Sequence, residues 1–181
     1  MKIYLLRHGE TDWSKEGRLQ GHTDIPLNNN GINQIEAVGN YFVNSGVKID
    51  VIISSPLIRA FKSAEIIAER TGYPKDYIIV EPGFIERSFG AGEGLTQEEH
   101  KVKFAGQYDT TAESIEDLCV RADITVKKYI NQFFGKTLLI AGHGSILKAV
   151  LTSVSNGKYS FNTGEFCLVE YDGTNLCLTT L

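Results

Sequence analysis

The sequence IYLLRHGET, residues 3–11, runs from an apolar segment directly into a polar turn in which a histidine precedes a glycine. The chain repeats this arrangement in TLLIAGHG, residues 137–144. Apolar runs of this kind are typical of strands buried in a parallel sheet. The carboxyl ends of parallel strands share one edge of the sheet, and open α/β sheets bind their ligands at that edge. We therefore expect His8 and His143 to meet there.

A third apolar strand, at residues 50–54, leads into the start of a helix. Ser55 is a favourable N-cap residue and Pro56 a favourable first helical residue, so the pair predicts a helix that begins here and runs to about Arg70. Arg59 then falls in the first turn of this helix, where free backbone N–H groups and the helix dipole attract anions. We expect Arg59 to reach the same edge of the sheet as the two histidines.

The rest of the chain alternates strands and helices, which predicts an α/β fold. We expect a three-layer sandwich with a mainly parallel central sheet and helices on both faces. A single domain should span residues 1–181, with residues 83–113 forming a cap that selects the substrate, and residues 9–29 should form a loop. The remaining predicted strands lie at 2–6, 77–80, 137–141, 166–169 and 176–179, and the remaining predicted helices at 31–45, 96–105, 114–134 and after Gly144.

Two imidazoles and two guanidiniums that converge on one point suit a phosphoryl group. Arginine offers a planar fork of donors that matches phosphate oxygens; Arg7 adjoins His8, and Arg59 approaches from the third strand. The helix after Gly144 offers a second N-terminus to an anion. A neutral imidazole can attack phosphorus and form a phosphohistidine, and nearby guanidiniums would keep it neutral by lowering its pKa. The other histidine, kept protonated, would hold an oxygen of the same group.

The reaction also needs a carboxylic acid, which protonates the leaving alkoxide and later accepts a proton from water. Residue chemistry alone does not choose among four candidate acids: Glu10, Asp12, Glu86 and Glu93. His22 and His100 lie in polar segments and are interpreted as loop residues without a part in the chemistry. A metallohydrolase is another possible use of two histidines and an acid, but the chain has no HExxH motif and the arginines would repel a cation.

The composition limits the classes of partner. A net charge of −4 argues against a broad nucleic-acid surface, which needs a basic face. The first apolar run is too short for a signal peptide, and no apolar run is long enough to span a membrane. Three cysteines without a CxxC pair fit reduced thiols in a cytoplasmic protein. We expect a cytoplasmic protein with a small phosphorylated substrate and without nucleic acid, membrane or cofactor; its oligomeric state stays open.

The ordered motifs of the chain resemble those of the histidine phosphatase superfamily, the phosphoglycerate mutase-like proteins, and in particular its small phosphatases. The resemblance covers nearly the whole length. Such motifs in matching strand and turn contexts are far more specific together than singly. The matching segments are RHGET at 7–11, GRLQGHTDIPL at 17–27, SSPLIRA at 54–60, IER at 85–87 and GHG at 142–144.

The resemblance implies a role for each matching residue. His8 would take the phosphoryl group, and Glu86 would be the proton donor, a choice that residue chemistry alone leaves open. The residues expected to contact the transferred group are Arg7, Gln20, Gly21, Arg59, His143 and Gly144. Arg7 and Gly144 are included because Arg7 adjoins His8 and a helix begins after Gly144.

Three positions depart from the family pattern. Ser14 stands where the family often has an asparagine that reaches the phosphate, and this shorter side chain is expected to reach it only through water. Gly92 replaces a tryptophan, which should open the rim of the pocket, and Gly142 replaces a frequent serine donor. The aromatic residues of the cap are expected to anchor it to the sheet more than to line the pocket; they are Phe84, Phe89, Phe104 and Tyr108.

The resemblance also leaves the activity open. Phosphoglycerate mutases of this family carry an insertion with extra cations for a second acidic group, and residues 87–142 are too few to hold it. Phe89 stands in place of a substrate-contacting tyrosine, Gln97 in place of a lysine, and the chain has no adjacent pair of arginines. A metal-independent phosphomonoesterase is therefore the leading interpretation. The alternatives are phosphoglycerate mutase-type transfer and a non-catalytic protein that binds phosphorylated ligands.

Overall fold

The structure of the protein is a computed structural model that describes residues 1–105, 109–155 and 159–179. Across these residues, one sheet contains six strands: β1 (Lys2–Arg7), β2 (Val51–Ser54), β3 (Ile79–Val80), β4 (Thr137–Gly142), β5 (Phe166–Tyr171) and β6 (Leu176–Thr179). Their order in the sheet is β3-β2-β4-β1-β5-β6. Neighbours among β3, β2, β4 and β1 pair in parallel, whereas β5 pairs antiparallel with β1 and β6 antiparallel with β5. This confirms the mainly parallel sheet.

Helices cover both faces of this sheet, as the alternation predicts. They are α1 (Asp12–Lys15), α2 (Asn29–Asn44), α3 (Ile58–Thr71), α4 (Gln97–Phe104), α5 (Ile115–Gln132) and α6 (Gly144–Ser155). Side chains alternate between the faces along each strand, so β1 gives Ile3 and Leu5 to the core under α5 and α6, and Tyr4 and Leu6 to the core under α2 and α3. Within the described ranges, none of the helices is both long enough and apolar enough to cross a membrane.

The start of α3 differs from the predicted one. The helix begins at Ile58 instead of Pro56, and its N-cap residue makes no side-chain bond to the helix. The hydroxyl of Ser55 lies 2.8 Å from Nε2 of His143 and accepts a bond from a backbone N–H within the turn. The carboxylate of Asp24, 34 residues earlier, accepts instead from the Ile58 N–H at 2.8 Å. The cap therefore comes from a distant loop, which local sequence spacing does not reveal.

Two further elements differ from the prediction. The predicted loop at 9–29 contains the short helix α1, because the hydroxyls of Thr11 and Ser14 form a reciprocal capping box. The predicted strand at 77–80 is reduced to two residues, because a single 3₁₀ turn, Lys75–Tyr77, follows Pro74. Neither change moves a residue away from the sheet edge at which the ligand is expected.

The turn after β1 packs directly against the N-terminus of α2. A Cβ added to Gly9 would lie 2.3 Å from the carbonyl oxygen of Gly31, and one added to Gly31 would lie 2.1 Å from the carbonyl oxygen of Glu10. Contacts this short require glycine at both positions. The backbone N–H of Asn28 donates to the same Glu10 carbonyl at 3.0 Å. This close packing fixes the turn that carries His8.

Candidate active site

His8 and His143 lie side by side at the carboxyl ends of two adjacent strands. β1 and β4 pair with Arg7 opposite Gly142, and the His8 N–H donates to the Gly142 carbonyl at 3.0 Å. The two imidazole rings have centroids 5.1 Å apart. The sheet register therefore brings together the two histidines that the repeated strand–turn pattern singles out.

The environment of His8 leaves one ring nitrogen as a nucleophile. Nδ1 lies 2.7 Å from the Gly9 carbonyl, which only accepts hydrogen bonds, so Nδ1 carries the proton and Nε2 keeps its lone pair. Burial, together with the positive charges of Arg59 and Arg7, holds the pKa of His8 well below its ordinary value. The imidazole is therefore neutral at pH 7, the state that attack on phosphorus requires.

His143 is predicted to be protonated while it holds a phosphate oxygen, whereas its surroundings in the protein favour the neutral ring. Its side chain is completely buried. Burial, followed by the positive charge of Arg59, holds the pKa of His143 well below its ordinary value. Nδ1 has no hydrogen-bond partner within the described residues. A phosphate dianion beside the ring would act against these cations and favour the protonated form.

Two arginines form the most strongly charged part of the site. Arg59 is fully buried; its Nη1 and Nη2 donate to the carbonyls of Thr23 and Gly21 at 2.9 and 2.7 Å. Burial lowers the pKa of Arg59 to about 10. Arg7 donates from Nη1 to the Phe161 carbonyl. Nε of each arginine is buried without a partner in the described part of the chain, and neither side chain forms a salt bridge there.

One fully buried guanidinium, that of Arg59, and one half-buried guanidinium, that of Arg7, without a salt bridge in the described residues, attract an anion and repel a metal ion. Within the described ranges, no group of three or more His, Cys, Asp or Glu side chains is arranged to hold a metal. The donors at this edge of the sheet are thus suited to phosphate oxygens, which accept hydrogen bonds from guanidinium groups in a planar arrangement.

The structure separates the four candidate acids. Glu86 alone of them lines the same pocket as His8, and three backbone N–H groups hold its carboxylate: those of Arg87, Ser145 and Ile146 at 2.9, 3.2 and 3.1 Å. The last two belong to the first turn of α6. The other three acids do not line the pocket: Glu10 and Asp12 accept from Asn28, and Glu93 accepts from His22, Thr23 and Phe89.

A pocket of about 340 Å³ joins these groups and opens to solvent. Ser14 lines this pocket, but its hydroxyl already donates to the Thr11 carbonyl and accepts from the Thr11 N–H. The amide oxygen of Gln20 accepts from the Thr11 hydroxyl, so the amide nitrogen remains as its donor. His143, which is also predicted to contact the transferred group, is fully buried and is not among the residues that line the pocket. The predicted residues that line it are Arg7, His8, Ser14, Gln20, Gly21, Arg59, Glu86 and Gly144.

Several lining residues were not predicted. Lys148 lies one helical turn after Gly144 in α6, and this i,i+4 spacing could have placed it on the same side of the helix. Phe89, expected more as an anchor than as a lining residue, does line the pocket, with the Arg87 guanidinium over its ring. Gln97, which the sequence analysis places at a mutase lysine position, also lines it, and the other unpredicted lining residues are Gly17, Arg18, Leu19, Ser145, Ser160 and Phe161.

The remaining cap residues have mixed outcomes. Phe84 is fully buried in the core and stacks on Tyr129, which confirms its anchoring role. His100 lies in α4 and not in a loop. Phe104 packs on its ring. A Cβ on Gly92 would lie 2.6 Å from that histidine ring, so His100 occupies part of the space next to this glycine. Tyr108 lies outside the described residues.

His22 contacts the site, although it was interpreted as a residue without a part in the chemistry. Its ring Nε2 lies 2.9 Å from the backbone carbonyl of Glu86. Because the ring binds the backbone and not the carboxylate, it can hold the segment that carries the acid but cannot share its proton. Nothing in the sequence pattern pairs residues 22 and 86, which are brought together only by the fold.

The two buried histidines should make the folded protein less stable in mild acid. The folded state lowers both pKa values, so between the ordinary histidine pKa near 6.5 and the lower folded values the unfolded chain binds more protons. The stability is then complete above about pH 7 and falls below about pH 6.5, by up to about 1.4 kcal/mol per pH unit for each histidine. The melting temperature should therefore drop from pH 8 to pH 5.5, and less steeply in His143→Asn. A profile equally steep in this variant would contradict the burial of a neutral His143.

Comparisons with known proteins agree with this geometry. Residues 3–176 match the family model of the histidine phosphatase superfamily (branch 1). The uncharacterized phosphatase PhoE of Bacillus subtilis is 37% identical over 155 residues, which are 86% of this chain and 78% of PhoE. A phosphoserine phosphatase of Entamoeba histolytica, solved in complex with 3-phosphoglyceric acid, superposes with a TM-score of 0.84 at 29% identity, covering 99% of this chain and 95% of that one. Bacillus stearothermophilus YhfR superposes with a TM-score of 0.86 at 26% identity, covering 98% and 94%.

Proposed function

The chain belongs to the histidine phosphatase superfamily, and on that premise we propose that it is a phosphomonoesterase that hydrolyses a small phosphorylated metabolite through a phosphohistidine on His8. One observation carries the proposal: a buried, neutral His8 with its Nε2 lone pair available lines the same pocket as Arg7 and Arg59, whose guanidiniums form no salt bridge within the described residues. Relatives with assigned functions are phosphatases or phosphoglycerate mutases, so an enzyme is the expected class.

The proposed reaction has two displacements at phosphorus. Nε2 of His8 attacks the phosphorus, the P–O bond to the leaving group breaks, and the leaving oxygen takes a proton from the carboxylic acid of Glu86. Water then attacks the phosphohistidine, loses a proton to the Glu86 carboxylate, and releases inorganic phosphate and free His8. Arg7 and Arg59 stabilise the charge on the phosphoryl oxygens throughout, and this positioning and charge stabilisation account for most of the catalysis.

Hydrolysis is favoured over a mutase reaction by the surroundings of the site. A mutase must keep water from its phosphohistidine, whereas this pocket opens to solvent. Phe89 and Gln97 line the pocket at positions where the mutases have a tyrosine and a lysine that contact the substrate. The proposed role of residues 83–113 is substrate selection, since Glu86, Phe89 and Gln97 all belong to this segment.

Hydrolysis of 4-nitrophenyl phosphate in the presence of EDTA tests the proposal. Because the chemistry assigned here uses only side chains, we expect phosphate release that is unchanged, within about twofold, by the chelator. A panel of sugar phosphates, phosphoglycerates, phosphoserine and nucleotide-like phosphates, compared by kcat/KM, would then identify the substrate class.

Three outcomes would contradict the proposed activity. Release that appears only after a metal is added would indicate a metallohydrolase. Interconversion of 2- and 3-phosphoglycerate faster than phosphate release would indicate a mutase. Tight binding of phosphorylated ligands without turnover would indicate a binding protein.

A further inference from the structure

Glu93 is a half-buried acid that the proposed reaction does not use, yet it binds two segments of the active site. Its Oε1 accepts from the backbone N–H groups of His22 and Phe89 at 2.9 and 3.3 Å. Its Oε2 accepts from the N–H and the hydroxyl of Thr23 at 2.8 and 2.5 Å. Burial alone would raise the pKa of Glu93, but these donors outweigh burial and hold it below its ordinary value. The carboxylate therefore stays ionised and joins the loop at residues 21–23 to the cap.

The same loop holds Arg59 from its other side. The carbonyls of Gly21 and Thr23 accept from the two Nη atoms of Arg59, while the N–H groups of His22 and Thr23 point to Glu93. Gly21 has a φ of +52°, and a Cβ there would lie 1.9 Å from Oε1 of Glu93. Only glycine both adopts this conformation easily and leaves room for the carboxylate. The loop is thus fixed between an acid and an arginine.

We propose that Glu93 is a positioning residue for the anion site: it fixes the loop at residues 21–23, whose carbonyls orient the guanidinium of Arg59. Arg59 is fully buried and forms no salt bridge in the described part of the chain, so its two Nη bonds to this loop determine where its Nε and its charge lie. The inference rests on the proposed function only in that Arg59 binds the phosphoryl group.

Glu93→Gln tests this role with little change of shape. Each carboxylate oxygen of Glu93 accepts two hydrogen bonds. In the glutamine side chain an NH₂ group replaces one of these oxygens. That NH₂ group faces two N–H or O–H donors and cannot accept from them, so one pair of hydrogen bonds is lost. We expect the Kd of inorganic phosphate, measured by calorimetry, to rise about tenfold, and kcat/KM for 4-nitrophenyl phosphate to fall by a similar factor. Thr23→Val, which removes one donor and keeps the backbone, should have a smaller effect of the same kind and serves if Glu93→Gln does not fold.

Glu81→Gln is the matched control. Glu81 is another half-buried acid with several bonds, from the Gly83 N–H, the Tyr129 hydroxyl and the Lys128 ammonium, but it lies outside the pocket. This variant should lower the melting temperature and leave the phosphate affinity unchanged within about twofold. Equal losses of phosphate affinity in Glu81→Gln and Glu93→Gln would show a general loss of stability and overturn the proposal.

A double-mutant cycle tests whether Glu93 acts on phosphate binding through Arg59. In an Arg59→Met background, Glu93→Gln should change the phosphate Kd by less than about twofold, because the group that it positions is gone. A loss of the same size with and without Arg59 would overturn the proposal, as would a wild-type affinity in Glu93→Gln. If the wild-type protein itself binds no phosphate, both the proposed function and the role of Glu93 are contradicted. The two outcomes above contradict only the role of Glu93, so the two failures can be told apart.

Discussion

His8→Ala is expected to lower the turnover of 4-nitrophenyl phosphate by about 10⁴-fold or more, because removal of a nucleophile leaves only the binding groups to act on water. His8 is 2% exposed, so truncation also removes a buried ring. His8→Asn is a second variant whose amide can still donate to the Gly9 carbonyl, and it should fold while remaining equally inactive.

His100→Ala provides a matched control for this experiment. His100 packs on Phe104 in α4 and does not line the pocket that contains His8. We expect this variant to retain kcat within about threefold of the wild-type value, as for substitutions away from the reacting groups. Equal rates for the wild type and His8→Ala would rule out the phosphohistidine mechanism.

Arg59→Ala is expected to lower kcat/KM by about 10²- to 10³-fold, the cost of removing one buried donor to a developing anion. The effect should exceed that of an exposed arginine because the guanidinium is fully buried, where charge interactions are screened less. Stability should fall too, since the carbonyls of Gly21 and Thr23 lose their donors. Arg59→Lys should recover only part of the activity, because an ammonium cannot donate to both carbonyls and to phosphate in one plane.

Arg70→Ala is the control on the same helix. Arg70 is an exposed side chain that pairs with Glu36, far from the pocket, and a surface pair of this kind contributes little to stability. Its kcat/KM should match the wild-type value within about twofold. If Arg59→Ala had as small an effect as this control, the anion site would not be where the guanidiniums of Arg7 and Arg59 lie.

The sequence pattern predicts the frame of the site because that frame depends on strand order and on side-chain alternation. Apolar runs that end in His8 and His143 lie in adjacent parallel strands, and Arg59 lies in the first turn of α3 as expected. The boundary of α3 was mispredicted because Ser55 is used by His143 and the helix is capped by Asp24. A local cap preference cannot anticipate a competing partner from another segment.

Electrostatic states were harder to predict than positions. The neutral state of His8 was anticipated from its arginine neighbours, but burial is the larger cause, and burial also makes His143 neutral. The choice of Glu86 depended on the family resemblance. Its physical reason is that three backbone N–H groups hold Glu86 at the pocket, whereas Glu93 is held by other N–H groups and does not line the pocket. These contacts exist only in the folded loops. Loop contacts between residues far apart in sequence carry this information.

Trapping the covalent intermediate tests directly whether the reaction passes through a phosphohistidine on His8. The enzyme would be mixed with radiolabelled substrate, quenched in alkali after a few milliseconds, and digested for peptide mapping under conditions that preserve phosphohistidine. We expect acid-labile phosphate on the peptide that contains His8, at a level that rises and decays with turnover, and no label in His8→Asn. Label on another residue, or steady turnover in which the enzyme never carries phosphate, would contradict this mechanism.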